Sequence, residues 1–183
     1  NTDFNSAIFE DTTFSNCVFL KPNLSGSKLF GQSNFENCEF IDAKLSNTTF
    51  GSHRGHYKEC LFERCDFKGT LFNFTKFTSC VFVKIKLGNT NFNGSVFASC
   101  RFVGKLKDVE FNGLYDTNPD PSACLQNVDF SEATFGEFVT FNNCVLNSCI
   151  PPAGTSFATL LYNIKANDPS VLSTGSRDRI VLT

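Results

Sequence analysis

Large apolar residues recur at every fifth position over most of this chain. This period fits neither the 3.6 residues of a helical turn nor the two-residue alternation of an ordinary strand. It predicts a chain that turns a corner every five residues, so that four sides close a coil of 20. Residues 2–150 hold 26 such units. Their central residues are Phe4, Phe9, Phe14, Phe19, Leu24, Leu29, Phe35, Phe40, Leu45, Phe50, Phe62, Phe67, Phe72, Phe77, Phe82, Leu87, Phe92, Phe97, Phe102, Leu106, Phe111, Leu125, Phe130, Phe135, Phe141 and Leu146.

The residue two positions before the centre is also restricted, because it is Ala, Ser, Thr or Cys in most units. We expect the large side chain to fill the axis of the coil and the small one to fit beside it. Coils of this kind stack and pair through backbone hydrogen bonds, as in a solenoid. The best-defined core positions are Phe62, Phe67, Phe72, Phe77, Phe82, Phe92, Phe97, Phe102, Cys60, Cys80 and Cys100.

These two restricted positions resemble the pentapeptide-repeat family, most closely in residues 66–72 and 129–135. The resemblance implies an all-β fold, a right-handed quadrilateral β-helix of about six to seven coils. The family includes DNA-mimicking proteins that bind type II topoisomerases, among them proteins of the quinolone-resistance type. It also includes pentapeptide domains within larger proteins such as secreted bacterial effectors.

Two segments break the repeat. We expect residues 1–152 to form the β-helix, with loop insertions at 51–59 and 114–124. Loops on a rigid scaffold carry function disproportionately, although a solenoid also tolerates insertions that have no partner. If the loops bind a partner, the candidate residues are His53, Arg54, His56, Tyr57, Lys58, Tyr115, Asp116, Asn118 and Asp120.

Residues 153–183 predict a short helix and a linker tail. Thr155 and Ser156 offer an N-cap after two prolines that stop the repeat. The helix either caps the last coil or forms the end contact of a homodimer. In the tail, Ile180–Leu182 is typical of a short strand. The apolar face of the helix, with its i, i+3, i+4, i+7 spacing, is Phe157, Leu160, Leu161 and Ile164.

Charge is distributed unevenly along the chain, whose net charge is −2. Residues 51–107 have a net charge of +7, whereas residues 108–150 have −7. In a solenoid, position in the sequence becomes height along the rod, so we expect a positive belt next to a negative end. Such a field orients a protein partner with complementary patches. It is unsuited to mimicry of DNA along the whole rod, which requires acidity throughout, and the chain has no excess of basic charge for nucleic acid.

The nine cysteines are expected to be free thiols in the core. Eight of them fall at the small inward position, and only Cys124 does not. No Cys-x-x-Cys pair is present, and the two histidines, His53 and His56, lack close acidic or thiol neighbours. We therefore expect no metal, no cofactor and no catalysis. Unpaired thiols indicate a reducing compartment, the bacterial cytoplasm or a host cytosol, and no apolar run is long enough to cross a membrane.

Binding is thus the expected function. The sequence contains no Met, and no cap precedes the first unit. We therefore expect a protein-interaction scaffold that is the recognition domain of a larger, effector-like bacterial protein. The alternative is a DNA-mimicking protein that binds gyrase, which the two loops favour and the charge distribution opposes.

Overall fold

The computed structural model describes residues 3–29, 32–51, 54–113, 124–160 and 180–182. Short strands dominate these residues, as a chain that turns every five residues requires. The strands are β1 (Ile8–Phe9), β2 (Thr13–Ser15), β3 (Val18–Leu20), β4 (Lys28–Leu29), β5 (Asn34–Glu36), β6 (Glu39–Ile41), β7 (Thr49–Phe50), β8 (His56–Lys58), β9 (Leu61–Glu63), β10 (Lys76–Thr78), β11 (Val81–Val83), β12 (Thr90–Asn93), β13 (Val96–Ala98), β14 (Arg101–Leu106), β15 (Val109–Asn112), β16 (Leu125–Gln126), β17 (Ala133–Phe135), β18 (Val139–Asn142) and β19 (Ile180–Leu182).

Parallel pairing between successive coils builds four faces. Face 1 is β2-β5-β8-β10-β13-β16, and face 2 is β3-β6-β9-β11-β14, whose last strand turns the corner and pairs with β17. Face 4 consists of β1-β4-β7 and β12-β15-β18. Face 3 lies next to face 2 along the chain. It is held by single bridges up to Lys86, and by the pairing of the end of β14 with β17 beyond it. These bridges join Asp3, Asn23, Lys44, Asp66 and Lys86 in that order.

The predicted fold class, a β-solenoid with a short C-terminal helix, is confirmed. The number of turns is about five, fewer than the six to seven predicted. Five turns separate β2 from β16, the first and last strands of face 1. The predicted number is higher because it also included the partial coils before β2 and after β16, to which β1, β17 and β18 belong.

Each corner depends on a residue in the left-handed region of backbone space. This residue lies two positions after the centre of the unit, as in Asn37 (φ 51°), Asn47 (φ 55°) and Gly69 (φ 67°). Glycine, Asn and Asp tolerate that conformation best, which explains their frequency at this position. Lys84 (φ 49°) and Arg64 (φ 53°) adopt it as well, because the stacked coils on either side impose the turn on them.

The central aromatic rings stack in columns along the axis. On the side of face 1, the ring centroids of Phe35 and Tyr57 are 4.9 Å apart, those of Tyr57 and Phe77 are 5.3 Å apart, and those of Phe77 and Phe97 are 4.8 Å apart. Stacked and edge-on rings at such distances attract each other beyond their loss of exposed surface. The expected core positions are buried, with an exposed fraction of 1% or less at Phe62, Phe67, Phe72, Phe77, Phe82, Phe92, Phe97, Phe102, Cys60, Cys80 and Cys100.

The structure places Tyr57, which the sequence analysis assigned to the first loop insertion, in the core. The repeat resumes at Tyr57, seven residues after Phe50, and Tyr57 pairs with Phe35 and Phe77 in register. Its side chain is completely buried. The prediction of a loop from 51 to 59 is therefore wrong over His56–Lys58, which forms strand β8, and Tyr57 is a core residue rather than a surface candidate.

The small inward residue contributes a hydrogen bond as well as fitting beside the ring. Thr70 Oγ1 donates to the carbonyl of Leu45 at 2.6 Å, and Cys80 Sγ donates to the carbonyl of Tyr57 at 3.3 Å. In both cases the acceptor is a central residue of the preceding coil. Ser, Thr and Cys recur at this position because each combines small volume with a donor.

We expect replacement of Thr70 by Val to lower the free energy of unfolding by about 1–2 kcal/mol. Valine preserves the shape but leaves the buried carbonyl of Leu45 without the hydroxyl that bonds to it. Cys80→Ser is the matched control, because serine can donate to the same acceptor as the thiol; we expect a loss below about 1 kcal/mol. Urea denaturation of both variants measures this difference, and a larger loss for Cys80→Ser would contradict it.

All nine cysteines are free thiols. The exception predicted at Cys124 is wrong, since its side chain is buried and its Sγ lies 3.5 Å from Sγ of Cys144. Cys124 therefore takes an inward position beside the small residue of the last coil.

The C-terminal end of the solenoid is covered by its own chain. A helical turn occupies residues 157–160, and Ser156 caps it by accepting a hydrogen bond from the amide of Thr159 at 3.0 Å. The ring of Phe157 packs on those of Phe130 and Phe141, with centroids 6.4 Å and 6.3 Å apart. Strand β19 pairs antiparallel with β18. Leu161 and Ile164, the other two residues of the predicted end contact, lie outside the described residues, whereas Leu160 is half-buried.

Over the part of the chain that the structure describes, no helix has the length and apolar character needed to span a membrane.

Candidate interaction surface

Three of the binding candidates in the first predicted loop are described besides Tyr57. Arg54 lies exposed in a turn with φ 79°. His56 and Lys58 project outward from β8 on face 1. His56 Nε2 lies 3.0 Å from Oγ1 of Thr78, and Lys58 Nζ lies 2.6 Å from Oε1 of Glu36. The structure therefore places these side chains in contacts with neighbouring coils. His53, Tyr115, Asp116, Asn118 and Asp120, the other binding candidates, lie outside the described residues.

The charges around β8 shift one another's ionisation. The ammonium of Lys58 lowers the pKa of Glu36 through a hydrogen bond, and Glu36 raises the pKa of Lys58 in return. Partial burial, with Lys76 and Lys58 nearby, lowers the pKa of His56 below its usual 6.5, although Glu36 opposes this shift. The side chains of Lys58 and Glu36 are about half exposed, at 44% and 52%, so their ion pair contributes little to stability.

We expect His56 to make the protein less stable as the pH falls below about 6.5. Its pKa is depressed in the folded state, so the unfolded chain takes up the proton first, and stability is lost from pH 6.5 down to the folded pKa. Glu36 and Asp42 lose their contribution at lower pH, because their carboxyl pKa values lie below 4.5 and 3.8.

Comparison of the wild-type chain with His56→Gln, by urea denaturation between pH 5 and 8, isolates this effect. The variant should lose less stability on acidification than the wild type. Equal losses in the two proteins would contradict the assignment.

A group of lysines covers one side of the rod. We call it the lysine face, and it lies on face 3 and on the corner between faces 2 and 3. Lys86 pairs with Asp66 in register, and Gly104 stacks on Lys84, because a Cβ on Gly104 would lie 3.5 Å from Cα of Lys84. Residues 104–108 therefore form the next coil above residues 84–90. The members of the lysine face are Lys68, Lys84, Lys86, Lys105 and Lys107, and all five are exposed.

The lysine face is poor in compensating charge. Lys107 Nζ lies 3.7 Å from a carboxylate oxygen of Asp108. The other four lysines form no ion pair with any residue that the structure describes. Three successive coils separated by about 4.8 Å place these charges within a short stretch of the rod.

Aliphatic side chains project from the neighbouring face 2. On β3, Val18 and Leu20 have exposed fractions of 62% and 59%. Pairing in register extends these positions into two outward columns along face 2. One column is Leu20, Ile41, Glu63, Val83 and Val103, and the other is Val18, Glu39, Leu61, Val81 and Arg101. We call this group the aliphatic face. Its members are Val18, Leu20, Ile41, Leu61, Val81, Val83 and Val103.

Sequence reasoning missed the aliphatic face. The sequence does contain a pattern that indicates this face. In Val18-Phe19-Leu20 and Val81-Phe82-Val83, aliphatic residues flank the central Phe of the unit, whereas most units have polar residues at these two positions. Charged residues interrupt it at Glu39, Glu63 and Arg101. The face therefore combines apolar side chains with a few charges, as protein-interaction surfaces do.

The two faces meet along one corner. Arg64 stands there, and its guanidinium binds the carboxylate of Asp42 with two hydrogen bonds, at 2.7 and 3.0 Å. These bonds hold the pKa of Asp42 below its usual value. Arg64 also contacts Glu63. Its charge is thus locally compensated, unlike that of Lys84 in the next coil.

Most of the described acidic side chains between residues 108 and 150 form ion pairs or hydrogen bonds within the chain. Glu132 lies 3.4 Å from Arg101, and Glu110 accepts hydrogen bonds from the side-chain amides of Asn91 (3.1 Å) and Asn142. Asp129 accepts from the amide and hydroxyl of Ser131, which lowers its pKa. Within the described ranges, no three His, Cys, Asp or Glu side chains are grouped so that they could hold a metal ion.

Comparison with known proteins gives one family and several structures. The sequence model described as pentapeptide repeats matches residues 1–31 and 58–94, in eight copies. No curated protein matches the chain. The structures include full-length QnrB1, titled a plasmid-mediated fluoroquinolone resistance protein, at 13% identity and TM-score 0.42, covering 86% of this chain and 85% of that one.

Two cyanobacterial structures are similar at lower scores. Rfr23 from Cyanothece 51142, titled a pentapeptide repeat protein, is 9% identical with TM-score 0.28 and covers 79% of this chain and 89% of its own. HetL from Nostoc sp. strain PCC 7120, titled a pentapeptide repeat protein involved in heterocyst differentiation regulation, is 14% identical with TM-score 0.21. The coverage is 85% of this chain and 92% of that one.

Proposed function

We propose that this chain, which is confirmed as a pentapeptide-repeat protein, is a non-catalytic scaffold for protein–protein interaction. The observation that carries the proposal is the side-by-side placement of the aliphatic face and the lysine face on a rigid rod. In the coils of the lysine face, the aliphatic side chains Leu61, Val81, Val83 and Val103 are partly exposed beside lysines that lack an ion pair among the described residues. Apolar area next to charge at the surface is a feature of sites that another protein covers. The core beneath is filled with stacked rings, which favours recognition on the outside over binding of a substrate inside.

Three finer proposals accompany it. We propose that the protein is the recognition domain of a larger, effector-like bacterial protein, acting in a bacterial or host cytosol, where its nine thiols stay reduced. Arg54, His56 and Lys58 form a second contact area on and beside face 1. The C-terminal end, where Phe157 packs on its own chain and Leu160 is half-buried, provides the contact of a homodimer.

Affinity capture with the full chain tests the scaffold function. Immobilised wild-type protein is exposed to lysates of bacteria and of cultured host cells, and bound proteins are quantified by mass spectrometry. Two surface variants serve as comparisons, Lys84→Glu/Lys86→Glu and His56→Ala/Lys58→Ala, each checked for wild-type stability. We expect a protein that is enriched on the wild type, lost on at least one variant, and bound again when purified.

If no captured protein depends on either surface, the scaffold function is wrong. Light scattering at several concentrations and salt levels tests the homodimer separately. A mass that stays that of a monomer at every concentration would contradict the end contact.

The gyrase alternative is not favoured by the surface. Mimicry of DNA requires a continuous acidic rod, and the lysine face interrupts any such surface over three coils. A supercoiling assay with purified gyrase distinguishes the two functions, because the scaffold function predicts no effect at micromolar protein.

A further inference from the structure

We propose that the aliphatic face and the lysine face form one docking surface, and that its partner is an acidic segment of another protein that also carries aliphatic side chains. The inference rests on the proposed scaffold function and names the site and the chemistry of its partner. It depends on three properties of the described residues: the continuity of the two faces, the charge they leave uncompensated, and the contrast with the other faces.

Continuity follows from the path of the chain. Strand β11 ends at Val83, and Lys84 turns the corner onto face 3, where Lys86 bridges to Asp66. The next coil repeats this order, because Val83 pairs with Val103 and Gly104 stacks on Lys84. Aliphatic and basic side chains are therefore adjacent in two successive coils, with no intervening face between them.

Charge selects the partner. Lys68, Lys84, Lys86 and Lys105 have no ion pair among the described residues and lie within three successive coils, whereas Arg64, in the coil below Lys84, is bound to Asp42. Lys76 on face 1 is also exposed and, among the same residues, without an ion pair, but no second unpaired lysine lies beside it in register. Exposed like charges repel one another, and an acidic partner removes that repulsion when it binds. The lysine face alone would suit any polyanion.

The aliphatic face distinguishes a protein from a nucleic acid. A phosphate backbone gains nothing from Val81, Val83 and Val103, while an acidic peptide with aliphatic side chains buries them. The stem of each lysine also adds apolar area next to the valines. The combination fits an extended or helical segment in which acidic and aliphatic residues alternate.

Face 1 provides matched control residues for the proposed docking surface. There Lys76 is an exposed lysine and Val96 is an outward valine, and they pair with each other in register. Lys76 and Val96 are on a different face from the proposed surface. They provide control substitutions of the same residue types on the same kind of strand.

Fluorescence anisotropy with the full chain tests the proposal. The probe is a fluorescein-labelled peptide of about 12 residues in which Glu and Leu alternate. Lys84→Glu/Lys86→Glu should weaken binding about tenfold or more, and Val81→Thr/Val83→Thr about threefold or more. Lys76→Glu and Val96→Thr, the controls, should change it less than twofold. Affinity for the wild type should fall as salt rises from about 0.05 to 0.5 M.

Each other outcome overturns the proposal in a defined way. An oligo-glutamate probe that binds as tightly as the alternating peptide would show that only charge matters. A 12-mer single-stranded DNA that binds more tightly would assign the lysine face to nucleic acid. No binding of the alternating peptide at about 1 mM, or equal effects of the control variants, would reject the surface.

A failure of the docking-surface proposal can be distinguished from a failure of the proposed scaffold function. A captured partner that is lost on His56→Ala/Lys58→Ala but kept on Lys84→Glu/Lys86→Glu would keep the scaffold function and place its site on face 1.

Discussion

Replacement of Phe77 by Ala is expected to lower the free energy of unfolding by about 3–5 kcal/mol. The side chain of Phe77 is completely buried. It stacks between Tyr57 and Phe97 and meets Phe82 edge-on with centroids 5.4 Å apart. Alanine removes the ring from all of these contacts and leaves a cavity on the axis. The stacked coils cannot close this cavity, because their spacing is fixed by backbone hydrogen bonds.

Urea denaturation followed by circular dichroism measures this loss. Lys76→Ala is the control, since the neighbouring side chain is exposed and its removal should change stability by less than about 0.5 kcal/mol. In a solenoid each coil contacts only its neighbours, so the damaged middle coil should also broaden the unfolding transition. A loss below about 1 kcal/mol for Phe77→Ala would show that the register of the core is wrong.

The core was predictable because the solenoid repeats one steric demand in every unit. Phe62, Phe82 and Phe102 fill equivalent places, so a single period in the sequence identifies all of them. The corners were harder to recognise from the sequence. Asn37 and Gly69 are typical left-handed residues, but Arg64 and Lys84 occupy equivalent corners, since the neighbouring coils impose the turn on any residue.

The interaction surface could not be predicted in the same way. Outward positions are not restricted by packing, so the period of five does not constrain them. Only pairing in register shows that Leu20 and Ile41 form one column, or that Lys86 lies beside Asp66. The uneven charge of residues 51–107 was visible in the sequence, but its concentration on one face was not.

Tyr57 shows how an insertion hides a core residue. Two additional residues between Phe50 and Tyr57 shift the period, and Tyr does not match the Phe or Leu of the other centres. Its aromatic ring nevertheless stacks like theirs, 4.5 Å from Phe50 and 4.9 Å from Phe35. A search that accepted any aromatic residue and a two-residue shift would have found it.

We expect Tyr57→Phe to raise the free energy of unfolding by about 1–3 kcal/mol. The hydroxyl of Tyr57 is buried and has no hydrogen-bond partner among the described residues. An unpaired buried hydroxyl costs its full desolvation, and phenylalanine keeps the ring and removes that cost. Tyr57→Leu is the control, and it should destabilise the protein because it also removes the stacking.

The pH dependence tests the burial of the hydroxyl. Burial raises the pKa of Tyr57 well above its usual 10, so the folded protein keeps the proton that the unfolded chain releases. The stability of the wild type should therefore decline above about pH 10, and the advantage of Tyr57→Phe should grow there by about 1.4 kcal/mol per pH unit. Chemical denaturation of both proteins at pH 7, 9 and 10.5 measures the difference. A Tyr57→Phe protein that is less stable than the wild type at pH 7 would mean that the hydroxyl is bonded in the folded state.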